Sequence, residues 1–226
     1  MTKTLILLLF IISIILFLCS MSYSTHSAHS SHSAHSGHSA HSKYPPQQYS
    51  YPSLSHERKQ ELYEMMRIFD QVCREHDIPY FVIGGTLLGS VRHKELIPWD
   101  YDIDVGMMKE DLPRLNNIDF SKYGLKSEYL LTGKGKIFYH NRYHSNNPYE
   151  GLFIDIFGYQ RMGDKIDFLF DGARNAWPNE YFYENELFPL TRNYVFDDMT
   201  LPGPSSYRSY CQRAWGDDWH IPIYKK

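Results

Sequence analysis

Cysteine is scarce in this chain: three in 226 residues, of which Cys19 belongs to an apolar N-terminal segment. One disulfide, Cys73–Cys211, is therefore open at most, and two buried free thiols are the preferred alternative. There is no CxxC pair and no Cys/His spacing of the structural-zinc kind. Blocks of lysine or arginine are also missing and the formal net charge is −3. The electrostatic footprint of a nucleic-acid binder is absent. No internal repeat occurs outside one histidine tract. Tyrosine, in contrast, is plentiful at 19 residues, most of them after residue 44. That suits a packed domain rich in side chains with an apolar body and a polar tip. The length allows one domain with a real core once a tail is set aside.

The first segment has Lys3 and then an apolar run of 14 residues from Leu5 to Leu18, broken only by Ser13. Such a run sits at the long end of a signal-peptide core and the short end of a membrane span. Small residues follow at Ser20 and Ser22, whereas Cys19 follows Leu18, which argues against a bacterial lipobox. Residues 1–22 thus read as a signal peptide or a signal-anchor. Either sends the chain into the secretory pathway: secreted if cleaved, a single-pass type II protein of the Golgi or ER membrane if not. Residues 23–53 form a low-complexity linker. His26, His29, His32, His35, His38 and His41 recur every third residue. Dense histidines can chelate Zn, Cu or Ni, but a tract with nothing apolar to bury is first a solvated, disordered stalk. "KYPPQQYSYPS" continues it as a Pro-rich spacer. The folded domain is expected over 54–226.

From Ser55 the pattern is helical, with Ser55 as N-cap and Leu62, Met65, Phe69, Val72 and Cys73 as a core stripe ended by Pro79. "YFVI" reads as a short buried strand that Gly84, Gly85 and Thr86 break, and "TLLGSVRH" as a short helix. "YDIDV" alternates, which predicts a strand with Tyr101, Ile103 and Val105 on a buried face. Asp100, Asp102 and Asp104 would then stand in a row on the other face, about 6 to 7 Å apart at ~3.3 Å rise per residue. "GKIFYHNRYH" and "GLFIDIFGY" read as further strands. The second carries Asp155 in an apolar run, where an ionised carboxylate is costly without a partner. The last third, "NEYFYENELFPL" to "LPGPSSYRSYCQRAWGDDW", reads as aromatic-rich helical segments and loops.

A strand that ends in Gly-Gly-Thr and opens a helix offers free backbone N–H groups to a phosphate, with no Cβ in the way. Asp102 and Asp104 could hold Mg²⁺ or Mn²⁺, hard cations that take oxygen ligands. Asp155 could add a third ligand or act as general base. Together these are the parts phosphoryl transfer needs. An EF-hand loop is excluded, because counting from Asp100 its required sixth-place glycine would be Val105. A nucleotide-sugar glycosyltransferase could use the same aspartates for Mn²⁺. It normally needs a long βαβ region first, and only about 20 residues separate Tyr80 from the row. A capped turn with surface carboxylates would leave three aligned acids and a fourth in an apolar strand unexplained.

"GGTLLGSVRHKELIPWDYDIDVGM" resembles the signature of the LicD/fukutin family, GGTLLGxxRHxxxIPWDxDxDxG. The resemblance extends through "GLFIDIFGY" to "AWGDDW", roughly residues 55–226. It implies an α+β, nucleotidyltransferase-like fold, a mixed β-sheet flanked by helices, with metal at paired aspartates. It also implies transfer of a phosphorylated small alcohol (phosphocholine, ribitol phosphate or similar) from a CDP-linked donor onto a glycan or glycoprotein. The matching residues are Gly84, Gly85 and Thr86 for phosphate, Arg92 as an anion contact, Asp102 and Asp104 for metal, and Asp155 as the acid of the later strand. Two departures stand out: Glu95 where many relatives carry glycine, and Tyr101 where they often carry acids. Within the motif, His93 reads as a structural hydrogen-bonding residue and Trp99 as a packing anchor. His140, Arg142 and His144 could reach a phosphate, though nothing in the sequence puts them there. A secreted histidine-rich metal- or glycan-binding protein that no longer turns over is the remaining alternative, against which Asp102, Asp104 and Asp155 weigh.

Overall fold

Ser55 caps the first helix as its sequence predicts: its side chain accepts from the Arg58 amide, and α1 runs His56–Glu75. The computed structural model describes residues 54–139 and 151–221. The apolar leader, the histidine tract, the Pro-rich spacer and His140, Arg142 and His144 lie outside the described residues. Among the described residues no helix is long and apolar enough to cross a membrane.

The inward face of α1 buries Leu62, Met65, Met66, Phe69, Val72 and Cys73. A turn with Asp77 at φ 52° leads into β1, Phe81–Val82. The next helix, α2, spans Gly84–Arg92, so the glycines form its first turn rather than preceding it. β2, Ile103–Met108, begins later than its alternation suggests. The Asp100 amide donates to Ile97 O at 2.8 Å and the Tyr101 amide to Asp100 Oδ1 at 3.1 Å. That turn holds Asp100 out of the ladder and leaves Tyr101 half-buried, edge-on to Phe153, instead of on the inner face.

There follow α3 (Leu112–Asn116), β3 (Leu125–Glu128), β4 (Lys134–Tyr139), β5 (Ile154–Met162), β6 (Lys165–Phe168) and α4 (Asp171–Ala176). The chain then forms β7 (Phe182–Tyr183), α5 (Glu184–Leu187), β8 (Thr191–Phe196), β9 (Met199–Gly203) and α6 (Arg208–Trp215). The main sheet runs β1-β2-β5-β4-β3, with β6 added to β5 and β7 to β6. Among the described residues only β2 and β5 pair parallel; the other pairs are antiparallel. The fold is α+β, a mixed sheet flanked by helices, as expected.

The helical segments expected in the last third are present as α5 and α6. Between them, unanticipated, β8 and β9 form a two-stranded hairpin that packs on α2 and β1. Its turn puts Asp197 at φ 58°, a conformation that Asp tolerates better than most residues. Alternation of Arg192, Tyr194 and Phe196 was the available signal. Cys73 and Cys211 are both free and buried, and burial pushes both thiols up. They act as small hydrophobes.

Asp70 ties three of these elements together. Its Oδ1 accepts from Tyr80 Oη at 2.6 Å and Arg192 Nη2 at 2.9 Å, and its Oδ2 from Arg74 Nε at 3.0 Å and Arg192 Nη1 at 3.1 Å. An amide in its place keeps one acceptor oxygen and turns a donor toward the same phenol and guanidiniums. Asp70→Asn should cost about 2–3 kcal/mol, below the cost for a fully buried pair because both arginines keep contact with water. Urea denaturation checks this. Arg67, on the exposed pairs with Asp197 and Asp198, is the control: Arg67→Gln should change stability by about 1 kcal/mol or less.

Candidate active site

Residue two of β2 is Asp104 and residue two of β5 is Asp155, and the parallel register sets them side by side. Paired residues of neighbouring strands point to the same face. β4 adds Lys136 opposite Asp155 on its other flank, and Lys136 Nζ lies 2.5 Å from Asp155 Oδ1. Asp102 stands just before β2. One carboxylate oxygen from each of Asp102, Asp104 and Asp155 lies within 4.8 Å of the others.

The first turn of α2 closes over this group at a distance that glycine suits. Gly84 has φ +51°, and a Cβ there would meet Asp104 Oδ2 at 2.9 Å; at Gly85 it would meet Asp100 Oδ2 at 2.5 Å. Thr86 is fully buried and its Oγ1 accepts from the Asp104 amide at 2.8 Å, pinning the helix to the strand. The Gly84 amide donates to Tyr210 Oη at 3.3 Å.

Burial is the main cause of the raised carboxyl pKa values in this group. Asp102 is pushed up to about 8, first by burial and then by Asp100 and Asp155, with Lys136 pulling the other way. Asp104 is driven well above the usual range by burial and then by Asp102, Asp100, Asp155 and Glu180. Asp100 is raised by burial and eased by a hydrogen bond shared with Asp102. Converging oxygens with too much negative charge and one lysine are the donor set a hard divalent cation takes. The residues fit such an ion.

A cavity of about 190 Å³ opens on the group. Gly84, Gly85 and the three aspartates line it, together with Phe157, Trp177, Glu180 and Trp215. Neither Thr86 nor Arg92 is on its wall. Arg92 lies two turns along α2, where Nη1 donates to Trp219 O at 3.2 Å and links the helix to the C-terminal segment. His93 follows it, with burial lowering its pKa. A larger cavity of about 370 Å³ lies among Cys73, Arg74 and Arg192. It is no rival for phosphate chemistry, because Asp70 already holds both arginines.

Lys136, Glu180 and Tyr210 escaped the sequence reading. Lys136 sits in "GKGKIFY" and only the β4–β5 register reveals its partner. Glu180 lies in irregular chain and Tyr210 among many tyrosines, and neither carries a local signal.

A family model described as LicD/FKTN/FKRP, nucleotidyltransferase domain, matches residues 77–206. The chain belongs to this family. An uncharacterised protein of Rickettsia typhi is 31% identical over 158 residues, which are 67% of this chain and 44% of that protein. Mouse ribitol 5-phosphate transferase FKRP is 27% identical over 165 residues, 69% of this chain and 31% of that one. The lipopolysaccharide cholinephosphotransferase LicD of Haemophilus influenzae is 39% identical over 67 residues, 29% and 25% of the two chains. The chain thus spans less than half the length of each of these relatives. Among solved structures, a lincomycin-bound lincosamide antibiotic adenylyltransferase superposes with a TM-score of 0.40 at 15% identity, covering 68% of this chain and 82% of its own.

A carboxyl with a raised folded pKa keeps its proton where the unfolded chain has released it. Stability from Asp102 is therefore present below the unfolded value of about 4 and is lost as pH climbs toward its folded value of about 8. Without divalent ions, Tm should fall between pH 5 and pH 8. Asp102→Asn should flatten that fall and raise Tm at pH 8, while Mn²⁺ should raise the wild-type Tm more than that of Asp104→Asn. Scanning calorimetry decides. An Asp102→Asn chain no more stable than wild type at pH 8 without metal would show that the carboxylates do not strain the site.

Proposed function

We propose that this chain is a metal-dependent phosphotransferase that moves a phosphorylated small alcohol (phosphocholine, ribitol phosphate or a similar group) from a CDP-linked donor onto a glycan. The observation that carries the reading is the in-register trio Asp102, Asp104 and Asp155 under a glycine helix start, in a chain whose relatives are named as transferases of such groups. Asp102, Asp104 and Asp155 would hold Mg²⁺ or Mn²⁺, which supplies positive charge for a diphosphate as charge builds on departing CMP.

The protein's own groups do the rest. Gly84 and Gly85 let donor phosphates approach the α2 backbone, whose first-turn amides have no partner within the helix. Lys136 holds Asp155 in its rotamer. Phe157, Trp177 and Trp215 supply an aromatic wall against which a flat ring can lie and from which water is displaced. On this reading the apolar segment at 5–18 sends the chain into the secretory pathway, where glycan acceptors are found, as a Golgi or ER membrane protein or a secreted one.

Incubating the purified chain with Mg²⁺ or Mn²⁺ and a panel of CDP-choline, CDP-ribitol, CDP-glycerol and UDP-sugars tests this. CMP release that rises with added glycan is expected. UDP release from a UDP-sugar would make the chain a glycosyltransferase, and silence with every donor would sink both readings. Asp102→Asn, Asp104→Asn and Asp155→Asn should each keep the fold and lower CMP release by at least ~10²-fold, the scale of one lost preorganised electrostatic contact. Asp100→Asn should do less, since Asp100 lies outside the converging trio. An Asp102→Asn chain with wild-type turnover and undiminished metal dependence would move the chemistry elsewhere.

A further inference from the structure

We infer that Glu180 is a further catalytic residue of this cavity, the carboxylate that takes the proton from the acceptor hydroxyl. The inference rests on the phosphotransfer reading above and divides the acids of the site into two groups with different work. Glu180 lines the cavity with the three aspartates, yet it stands outside the set whose oxygens converge within 4.8 Å. Asp155 is the other candidate for a base. Its Oδ1 is already taken by the Lys136 ammonium, so that oxygen is not open to an incoming hydroxyl. Among the described residues Glu180 has no cationic partner.

The position of Glu180 is fixed from both sides. Its amide donates to Trp177 O at 3.1 Å and its carbonyl accepts from Tyr159 Oη at 3.4 Å. Its Oε2 accepts from Tyr210 Oη at 3.0 Å. Tyr210 is fully buried and stacked on Phe182 at 4.1 Å. A phenol has one proton, and Tyr210 Oη also accepts from the Gly84 amide. Its hydrogen is therefore committed to Glu180. Base and orienting group within hydrogen-bond reach is the arrangement general-base chemistry uses. Oε1 makes no hydrogen bond among the described residues, and so is left for an incoming hydroxyl. Burial raises the Glu180 pKa, eased by Tyr210, and a raised carboxyl is the stronger base.

The step balances. As the acceptor oxygen bonds to the donor's phosphorus, its proton passes to Glu180 Oε1. The phosphorus–oxygen bond to CMP breaks, and CMP leaves with that electron pair. The Glu180 acid then returns its proton to solvent. The titratable groups facing Glu180 are Asp104 from β2, Tyr159 from β5, and Tyr210 and Cys211 from α6. Of these, Asp104 is the one other carboxyl.

The test uses the full chain with Mn²⁺, CDP-choline, CDP-ribitol and CDP-glycerol, reading CMP with water and with a glycan mixture as acceptor. Glu180→Gln should lower kcat by ~10²–10⁴-fold, the usual contribution of a positioned base. It should leave the donor KM within about threefold, erase the acid limb of the pH–rate profile and leave the Mn²⁺-induced rise in Tm intact. Tyr210→Phe should shift that limb without abolishing it. Glu180→Ala, which guards against a misfolded Gln variant, should regain CMP release with added formate. Wild-type rates in Glu180→Gln, loss of the Mn²⁺ response in Glu180→Gln (which would make Glu180 a metal ligand) or no formate rescue would each overturn the assignment. A wild-type chain silent with every donor overturns the phosphotransfer reading, and this inference with it.

Discussion

Two carboxylates forced together by a parallel strand pair, with a third just before it, set the terms for the rest of this domain. Asp104 and Asp155 cannot separate without slipping the β2–β5 register, and a slip of one residue would turn the apolar faces of both strands to the wrong side. The repulsion is therefore built into the sheet. Lys136 offsets part of it from β4, and Thr86 ties the Asp104 backbone to α2. Even so, burial and then the neighbouring acids push the Asp102 carboxyl up to about 8. A site that stores like-charge repulsion in a rigid sheet is poised to take a cation, and its rigidity keeps the oxygens converged while it waits.

The same constraint explains the glycines better than anion binding alone. A Cβ at residue 84 or 85 would run into Asp104 or Asp100 before any ligand arrived. Close approach of the α2 backbone to the acids comes first, and access for a phosphate follows from it. Thr86 and Arg92 fall on the supporting side: one joins helix to strand, the other joins the end of α2 to the C-terminal segment. Their identity in the motif can thus reflect how the acids are held as much as what the acids hold.

What the sequence could reveal was what short-range periodicity and one long motif encode. Alternation in "YDIDV" and "FIDIF" exposed Asp102, Asp104 and Asp155, and the Ser55 cap and apolar stripe located α1. Pairing was not legible. That Asp155 lies between Asp104 and Lys136 depends on strands far apart in the chain, and residue spacing says nothing about which rungs meet. The β8–β9 hairpin was missed for a related reason: its pairing depends on the turn at Asp197, which strand alternation alone does not announce. The start of β2 was misjudged because Asp100 binds its own neighbouring backbone, a local competition that alternation cannot report.

The family match ends at residue 206, but the cavity does not. Trp215 lines it and Tyr210 carries the hydrogen bond that joins Gly84 to Glu180, and both belong to α6. The site is thus made of two parts with different freedom to vary. The sheet part, Asp102, Asp104 and Asp155 with their glycine cover, is fixed by register and charge, so any large change there breaks either the fold or the convergence of the oxygens. The wall formed by Trp177, Glu180 and Trp215 hangs on loops and a short helix, where side chains can change at lower cost in stability. Chemistry common to a family belongs on the first part. Differences between this chain and its relatives should concentrate on the second.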